Sequence, residues 1–262
     1  MLKLSVYMVT YNEEKRLERT LKAIQPIADE LIIVDSGSTD KTKDIALKYG
    51  AKFIEHPWES YAAQKAFAEN LCHYDWRLQL DADETLSPEL VQEILALKKS
   101  TPRFQIYRLY IADMFPGFIK PRSFVKKYNI PRLYHKDVAK MPEKALTEDR
   151  IAFKKNTPAG QLKGLVYHYS YQGISHHIRK LNYYTDEVQR TVIKKGKHYS
   201  IFRLITEFPR QFFIYYVMKR HFLNGFWGFS YAMNLAFCRY LKIAKAIEQD
   251  RLTCIKDPIY KK

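Results

Sequence analysis

Cysteine is scarce in this chain, which has three cysteines among its 262 residues: Cys72, Cys238 and Cys254. They are odd in number and widely spaced, so the sequence predicts neither a disulfide framework nor a zinc site. The first residues lack the basic region, apolar core and small-residue cleavage site of a secretion signal. We therefore expect a protein of the reducing cytoplasm.

Glycine is also sparse, with nine residues, and no glycine-rich phosphate loop is present. The turn after the first apolar run reads Thr10-Tyr-Asn-Glu-Glu14, whereas a dinucleotide-binding turn needs Gly-x-Gly-x-x-Gly. A Walker-type loop is missing, as are helix-turn-helix, zinc-finger and RNA-binding aromatic motifs. These absences argue against a Rossmann dehydrogenase, a P-loop nucleotidase and a nucleic-acid partner.

Acidic residues are few after residue 100. Residues 1–100 carry 13 Lys and Arg against 17 Asp and Glu, a net charge of −4, and the remainder carries 31 against 11, a net charge of +20. A strongly basic half attracts polyanions. Because nucleic-acid motifs are missing, we expect an anionic membrane surface or a phosphorylated acceptor as the partner of this half.

The first hundred residues alternate between strand and helix patterns. Apolar runs at 4–10, 30–35, 51–54 and 76–80 predict buried strands, and helical periods follow them. This alternation predicts an α/β fold with a mostly parallel central sheet flanked by helices. Ligands of such sheets bind at the carboxyl ends of the strands, where the sequence places three polar clusters, at 10–13, 35–36 and 81–83.

The stretch Leu78-Gln-Leu-Asp81-Ala-Asp83-Glu84 is a buried-strand pattern that ends in three carboxylates. Hard oxygen ligands in this position suit Mg²⁺ or Mn²⁺, shared with a substrate diphosphate. A nucleotide there would use the Tyr11 ring and the Asp35 carboxylate for its base and a metal on Asp83 for its diphosphate. The alternative is that the acids cap the next helix, where Ser87 and Pro88 form a helix start.

Three motifs together carry a family resemblance: Val9-Thr-Tyr-Asn-Glu13, Ile33-Val-Asp-Ser-Gly-Ser-Thr-Asp40 and Leu80-Asp-Ala-Asp-Glu84. In this order and spacing the chain resembles glycosyltransferase family 2, inverting enzymes of the GT-A fold that use nucleotide sugars. The resemblance implies a catalytic domain at 1–172, with a nucleotide-sugar half at 1–100 and an acceptor half at 101–172.

The resemblance also implies roles for individual residues. Those expected to bind the nucleotide sugar are Thr10, Tyr11, Glu13, Asp35, Lys65, Asp81 and Ala82. Asp83 is expected to bind the divalent metal, and His168 to complete the metal shell. Lys65 would lie close to the diphosphate, and its alternative is a solvated helix lysine. A lone histidine such as His168 is otherwise usually a packed or hydrogen-bonded residue.

In the acceptor half, Thr147-Glu148-Asp149 resembles the segment that supplies the catalytic base in GT-A enzymes. A carboxylate can deprotonate the attacking sugar hydroxyl. The resemblance implies Glu148 as the preferred base and Asp149 as the alternate, because many similar enzymes of the lipopolysaccharide core have a His-Glu pair here. The alternative is a surface acid pair beside Arg150.

The region 173–262 is predicted to be a basic, aromatic, helical extension. Its longest uncharged run, 222–238, has 17 residues and contains Asn and Gly, so we expect it to lie at a membrane surface rather than to span a bilayer. The alternative is a helical hairpin that packs on the catalytic domain or on another subunit. The arrangement also resembles the tail of bacterial lipopolysaccharide-core glucosyltransferases.

We therefore expect an inverting, metal-dependent glycosyltransferase that transfers glucose from UDP-glucose onto an inner-core heptose of lipopolysaccharide. Its acceptor would be a lipid-linked phosphorylated saccharide at the inner face of the bacterial cytoplasmic membrane, where the enzyme would be peripheral. One alternative is a family 2 enzyme acting on a polyprenyl phosphate or a capsule precursor. An alternative of another class is a non-catalytic, membrane-associated binding module.

Overall fold

The computed structural model of the protein describes residues 2–143, 150–182, 185 and 199–254. The chain divides into two compact units. The first comprises Met1–Met114 and Lys127–Ser170, and the second comprises Phe115–Lys126 and Tyr171–Lys262. The segment Phe115–Lys126 therefore belongs to the C-terminal unit, although strands of the first unit precede and follow it in the sequence.

An eight-stranded sheet forms the centre of the first unit. Its strands, in the order in which they lie side by side, are β3 (Lys52–Glu55), β2 (Glu30–Asp35), β1 (Leu4–Thr10), β4 (Trp76–Gln79), β7 (Tyr128–His135), β6 (Ile106–Asp113), β10 (Gly160–His168) and β5 (Glu84–Leu86). Only β7 and β5 run opposite to the others, as their antiparallel pairings show. A separate two-stranded ribbon joins β8 (Ala139–Lys140) and β9 (Ala152–Phe153).

Four helices connect and cover the strands of this unit. They are α1 (Leu17–Ile24), α2 (Thr42–Lys48), α3 (Tyr61–Asn70) and α4 (Pro88–Lys99). The Ser60 hydroxyl caps α3 by accepting from Ala63 N, and the Ser87 hydroxyl caps α4 by accepting from Leu90 N, with Pro88 at the first helical position. The start of α4 is thus the one that the sequence predicts.

Alternate residues of β1 place side chains in two separate apolar layers. Leu4, Val6 and Met8 pack in a cluster with residues of α1 and α4, and Tyr7 packs in a second cluster on the other face. Gly164 of β10 lies so close to α4 that an added Cβ would sit 2.4 Å from the Leu90 amide nitrogen. The prediction of a mostly parallel central sheet flanked by helices, with a helical C-terminal region, is confirmed.

The second unit is helical in its described part. Residues 174–182 form α5, and after a gap come α6 (Ile201–Phe213), a π-helical turn (Ile214–Met218), a 3-10 turn (His221–Asn224) and α7 (Gly225–Cys254). An aromatic cluster of Phe115, Tyr171 and Tyr231 joins the segment Phe115–Lys126 to α7. Within the described ranges of the chain, no helix is both long and apolar enough to cross a membrane.

Candidate active site

Thr10 and Asp35 end the neighbouring parallel strands β1 and β2 and are direct partners in register. Both are buried, and Thr10 Oγ1 donates to Asp35 Oδ1 at 2.7 Å. That oxygen also accepts from Ser38 Oγ at 2.6 Å. The other, Oδ2, accepts from the backbone N–H groups of Gly37 and Ser38 at 2.9 and 2.6 Å. Four donors thus fix the Asp35 carboxylate at the carboxyl edge of the sheet.

The turn after β1 presents an aromatic ring next to this edge. Asn12 adopts a left-handed conformation with φ of 54°, which asparagine tolerates better than most residues. Its backbone N–H donates to Ser38 Oγ at 2.7 Å, which joins the turn to the loop after β2. The Tyr11 side chain remains 61% exposed. An exposed ring beside a fixed carboxylate suits the stacking and hydrogen bonding of a nucleobase.

Asp81 follows β4 and lies among positive charges. Lys65 Nζ is 2.7 Å from its Oδ1, Arg132 Nη2 is 3.3 Å from its Oδ2, and Gln79 Nε2 donates to Oδ1 at 3.0 Å. Burial by itself raises the pKa of Asp81, but the charges of Lys65 and Arg132 outweigh that effect and hold the pKa well below its usual range. Asp81 is therefore a fixed anion.

Lys65 comes from α3, and its side chain is only 1% exposed. The alternative that it is a solvated helix lysine is wrong, because its ammonium lies against Asp81 within the first unit. Arg132 of β7 is similarly buried, and its Nη2 bridges Asp81 to Glu84, at 2.8 Å from Glu84 Oε1. The acids after β4 are held by ion pairs, so the alternative that they cap the next helix is also wrong.

Asp83 contacts two positively charged or chargeable side chains. Arg16 Nη1 is 3.1 Å from its Oδ2, and His168 Nε2 is 3.6 Å from its Oδ1. The same guanidinium holds Glu13 in a bidentate pair, with Nε at 2.8 Å from Oε2 and Nη2 at 2.6 Å from Oε1. Arg16 therefore connects the turn after β1 to the acidic stretch after β4.

His168 ends β10 directly opposite Asp113, the last residue of β6. Its Nδ1 lies 3.1 Å from Asp113 Oδ1. Burial alone would lower the pKa of His168, but the hydrogen bond to Asp113 and the nearby charge of Asp83 raise it to about 9. The Asp113 carboxylate thus orients the imidazole of His168, and Nε2 of the ring faces the Asp83 carboxylate.

The donor set of Asp83 and His168 fits a divalent metal that is shared with a substrate. No cluster of three or more His, Cys, Asp or Glu side chains suited to a metal occurs in the part of the chain that the structure describes. Mg²⁺ and Mn²⁺ sites that also bind diphosphates commonly take only one or two protein ligands. A histidine whose second nitrogen meets a carboxylate, as His168 meets Asp113, is typical of metal ligands.

Ala82 lies between the two aspartates and contributes its backbone. It is buried, and its carbonyl accepts from Thr20 Oγ1 of α1 at 2.9 Å. Glu13 also donates its backbone N–H to Thr42 Oγ1 at 2.8 Å. These bonds anchor the acidic stretch and the first turn to the helices behind them, so the edge of the sheet is a rigid support for its side chains.

Known protein families were compared with this chain by sequence. The sequence model described as "Glycosyl transferase family 2" matches residues 5–175, which is well over half of the chain. The chain belongs to glycosyltransferase family 2.

Relatives of this family 2 glycosyltransferase match along nearly its whole length. An "uncharacterized glycosyltransferase" of Rickettsia felis is 40% identical, over 95% of this chain and 90% of that protein. The "lipopolysaccharide core biosynthesis glycosyltransferase LpsC" of Rhizobium meliloti is 28% identical, over 96% and 94%. The crystal structure of S. aureus TarS 1-349 is 17% identical, over 96% and 90%, with a TM-score of 0.47.

Three residues of this glycosyltransferase's site did not follow from the sequence: Arg16, Asp113 and Arg132. Arg16 had a local signal, because it lies three residues after Glu13, a spacing at which opposite charges meet on a helical turn. Asp113 ends β6, but its position opposite His168 depends on a pairing between strands far apart in the sequence. Arg132 lies in β7, and nothing near it in the sequence indicates its contact with Asp81.

The predicted base residues Glu148 and Asp149 lie outside the described residues, so their assignment stays a prediction. The other sequence-predicted residues form three pairs in direct contact. These pairs are Asp81 with Lys65, Asp83 with His168, and Thr10 with Asp35. Tyr11 and Glu13 lie on the turn that follows Thr10.

Proposed function

We propose that this glycosyltransferase transfers a sugar from a UDP-sugar, with glucose as the expected sugar, onto a lipid-linked phosphorylated saccharide, with inversion and with a divalent metal. An inner-core heptose of lipopolysaccharide is the expected acceptor, in keeping with the name of the relative LpsC, a lipopolysaccharide core biosynthesis glycosyltransferase. The observation that carries the proposal is the pair Asp83 and His168, oriented by Asp113 beside the fixed anion Asp81. The enzyme would work at the inner face of the cytoplasmic membrane.

The nucleoside would bind at the ends of β1 and β2. The exposed Tyr11 ring would stack on the base, and the Asp35 carboxylate would accept from a base N–H. Four donors already surround that carboxylate, so the base would replace one of them. The Ser38 hydroxyl can turn its hydrogen away from Asp35, because its oxygen would still accept from Asn12 N.

The sugar and diphosphate would lie over Asp81 and Asp83. Asp81, held by Lys65 and Arg132, would accept from hydroxyls of the ribose or sugar without changing its own position. Asp83 and His168 would hold the metal, which when bound neutralises charge that builds on the departing diphosphate. Glu148, or Asp149 in its place, would take the proton of the acceptor hydroxyl on the opposite side of the sugar, which gives inversion.

A thermal-shift screen of UDP-, GDP- and ADP-sugars, each with and without Mn²⁺, tests this proposal. A ligand that binds the native state raises its free energy of unfolding, by roughly 2.7 kcal/mol at a ligand concentration of a hundred times Kd. The melting temperature rises as a result. We expect the largest shift with a UDP-sugar plus Mn²⁺, and we expect NMR of a transferred product to show the inverted anomer. A larger shift with GDP- or ADP-sugars, or a retained anomer, would contradict the proposal.

Arg16 supplies a second test, because its guanidinium occupies the side of Asp83 that faces Glu13. Replacing Arg16 with glutamine is expected to strengthen Mn²⁺ binding about tenfold, since a charge-assisted hydrogen bond no longer competes for the carboxylate. Calorimetric titration of Mn²⁺ in the presence of UDP measures this change.

Arg19→Gln is the matched control, because Arg19 lies over the Tyr169 ring at 4.2 Å from its centroid and carries the same charge three residues further on, in α1. Its Mn²⁺ affinity should stay near that of the wild type. Unchanged or weaker Mn²⁺ binding in the Arg16 variant would show that Asp83 is not the carboxylate that receives the metal.

A further inference from the structure

Helix α6 carries large apolar side chains that are more than half exposed in the described part of the chain. Ile201, Phe202, Ile205 and Phe213, here called the outer face of α6, are 53, 76, 69 and 56% exposed. Their spacing of one, three and eight residues places them within one third of the helix circumference. Four large exposed apolar side chains on one face form a patch of the kind that marks an interaction surface.

The side of α6 that adjoins Ile201 is already packed. Glu207 is 4% exposed, and Phe212 meets Phe229 of α7 with ring centroids 5.7 Å apart. Leu204 and, at the edge of the outer face, Ile201 line a cavity of about 470 Å³ together with Ile247 of α7. The helix therefore has two apolar sides, one that builds the core of the second unit and the outer face, which that core does not need.

Positive charge lies on one flank of the outer face. The segment 199–254 contains eight Arg and Lys but only three Asp and Glu. Arg203 and Arg210 of α6 are about half exposed, and the acid between them, Glu207, is buried and paired with Arg210 at 3.0 Å. Little negative charge remains on this helix to repel an anionic surface.

The loop Phe115–Lys126 adds to the same character. It has two lysines and one arginine and no acid, and its Ile119 and Phe124 are 88 and 71% exposed. Lys126 N donates to Lys219 O at 3.3 Å, which ties the loop to the turn after α6 within the second unit. Exposed apolar side chains among cations thus recur on two segments of one unit.

We propose that the outer face of α6 binds an anionic phospholipid bilayer. Its four apolar side chains enter the boundary between headgroups and acyl chains, while arginines on its flank meet lipid phosphates. The inference deepens the proposed function and rests on it in one respect, since an enzyme with a lipid-linked acceptor must work at such a surface. A second copy of this chain suits the face less well, because pairing it with itself would bring like-charged arginines together.

Vesicle flotation with the full-length protein tests the proposal. Vesicles of phosphatidylcholine with phosphatidylglycerol in equal parts are expected to bind the wild type at least about tenfold more tightly than phosphatidylcholine alone, because each cation near an anionic surface contributes about 1 kcal/mol. The double variant Phe202→Ser, Ile205→Ser is expected to lose about a hundredfold in binding, or about tenfold for each apolar side chain removed from the lipid.

The matched control is Leu47→Ser, which removes an apolar side chain of α2 that is 53% exposed, in the first unit. It should bind vesicles as the wild type does. The proposal is overturned if the double variant also binds as the wild type does, or if the wild type does not bind anionic vesicles. It is equally overturned if the double variant instead dissociates an oligomer.

The same samples separate this inference from the proposed function. The thermal shift with UDP-sugar and Mn²⁺ reports the site at the sheet edge and should be equal in the wild type and the double variant. A normal shift with no vesicle binding would refute the membrane surface alone, and normal vesicle binding without a UDP-sugar shift would refute the proposed donor alone.

Discussion

Replacing Asp83 with asparagine is expected to lower the rate of sugar transfer about 10²- to 10³-fold, the loss that follows when one group that stabilises developing charge is removed. Asparagine keeps the size of the side chain and one oxygen, but it removes the negative charge that Arg16 and His168 face at 3.1 and 3.6 Å. The Asp83→Asn variant therefore tests the negative charge of the side chain rather than its shape. The measurements are the turnover number with saturating UDP-sugar and the affinity for Mn²⁺.

The effect on folding should be small by comparison, and this separates a catalytic loss from unfolding. Arg16 keeps its bidentate pair with Glu13 and its bond to Tyr169 O at 3.2 Å. Asp137→Asn is the control, because its carboxylate is 69% exposed and lies 3.5 Å from His135 at the surface. Transfer by a folded Asp83→Asn protein at more than about a tenth of the wild-type rate would refute the proposed role of Asp83.

The strand ends of the site could be predicted from the sequence because each signal is local. A short apolar run followed by polar residues marks both the strand and its end, so β1 and β2 occupy the predicted ranges of 4–10 and 30–35. Parallel neighbours then place Thr10 beside Asp35. The rule that parallel sheets gather functional groups at the carboxyl edge needs no knowledge of the remaining contacts.

What could not be predicted depends on pairings between distant segments. β7 runs antiparallel between β4 and β6, and only that position carries Arg132 to Asp81. Whether Lys65 lies at the site or in solvent could not be predicted for a related reason. Polar Gln64 and Lys65 are both buried in α3, so the polarity of the residues does not reveal which side of that helix faces the sheet. Buried ion pairs form between residues that the fold brings together, so the local sequence pattern does not reveal them.

The same limit applies to a buried polar network of the first unit, which no local pattern predicts. Glu69, in the last turn of α3, accepts from the Tyr134 hydroxyl through Oε1 and from Met141 N at 2.9 Å through Oε2. Tyr134 in turn lies 2.7 Å from the Tyr7 hydroxyl of β1. Burial first, and then the charge of Glu69, raise the pKa of Tyr7 well above its usual value. Burial also raises the pKa of Tyr134 well above its usual value, so both hydroxyls remain protonated.

Replacing Glu69 with leucine is expected to destabilise the first unit by about 3–5 kcal/mol, because removing one member of a buried charged network leaves the others without compensation. Arg77 Nη1, 3.6 Å from Glu69 Oε1, and the Met141 N–H would each lose the same carboxylate. For a unit of this size the melting temperature should fall by roughly 6–20 °C. Thermal unfolding followed by circular dichroism measures the fall.

Two further variants distinguish loss of the network from a general effect of leucine. Glu55→Leu removes a carboxylate that is 63% exposed and paired with Lys43, so it should change stability by less than about 1 kcal/mol. Tyr134→Phe should cost less stability in the Glu69→Leu protein than in the wild type, because its hydroxyl has then already lost its acceptor. Equal costs in both backgrounds would mean that Glu69 and Tyr134 contribute independently, and that the bond between them does not hold α3 against the sheet.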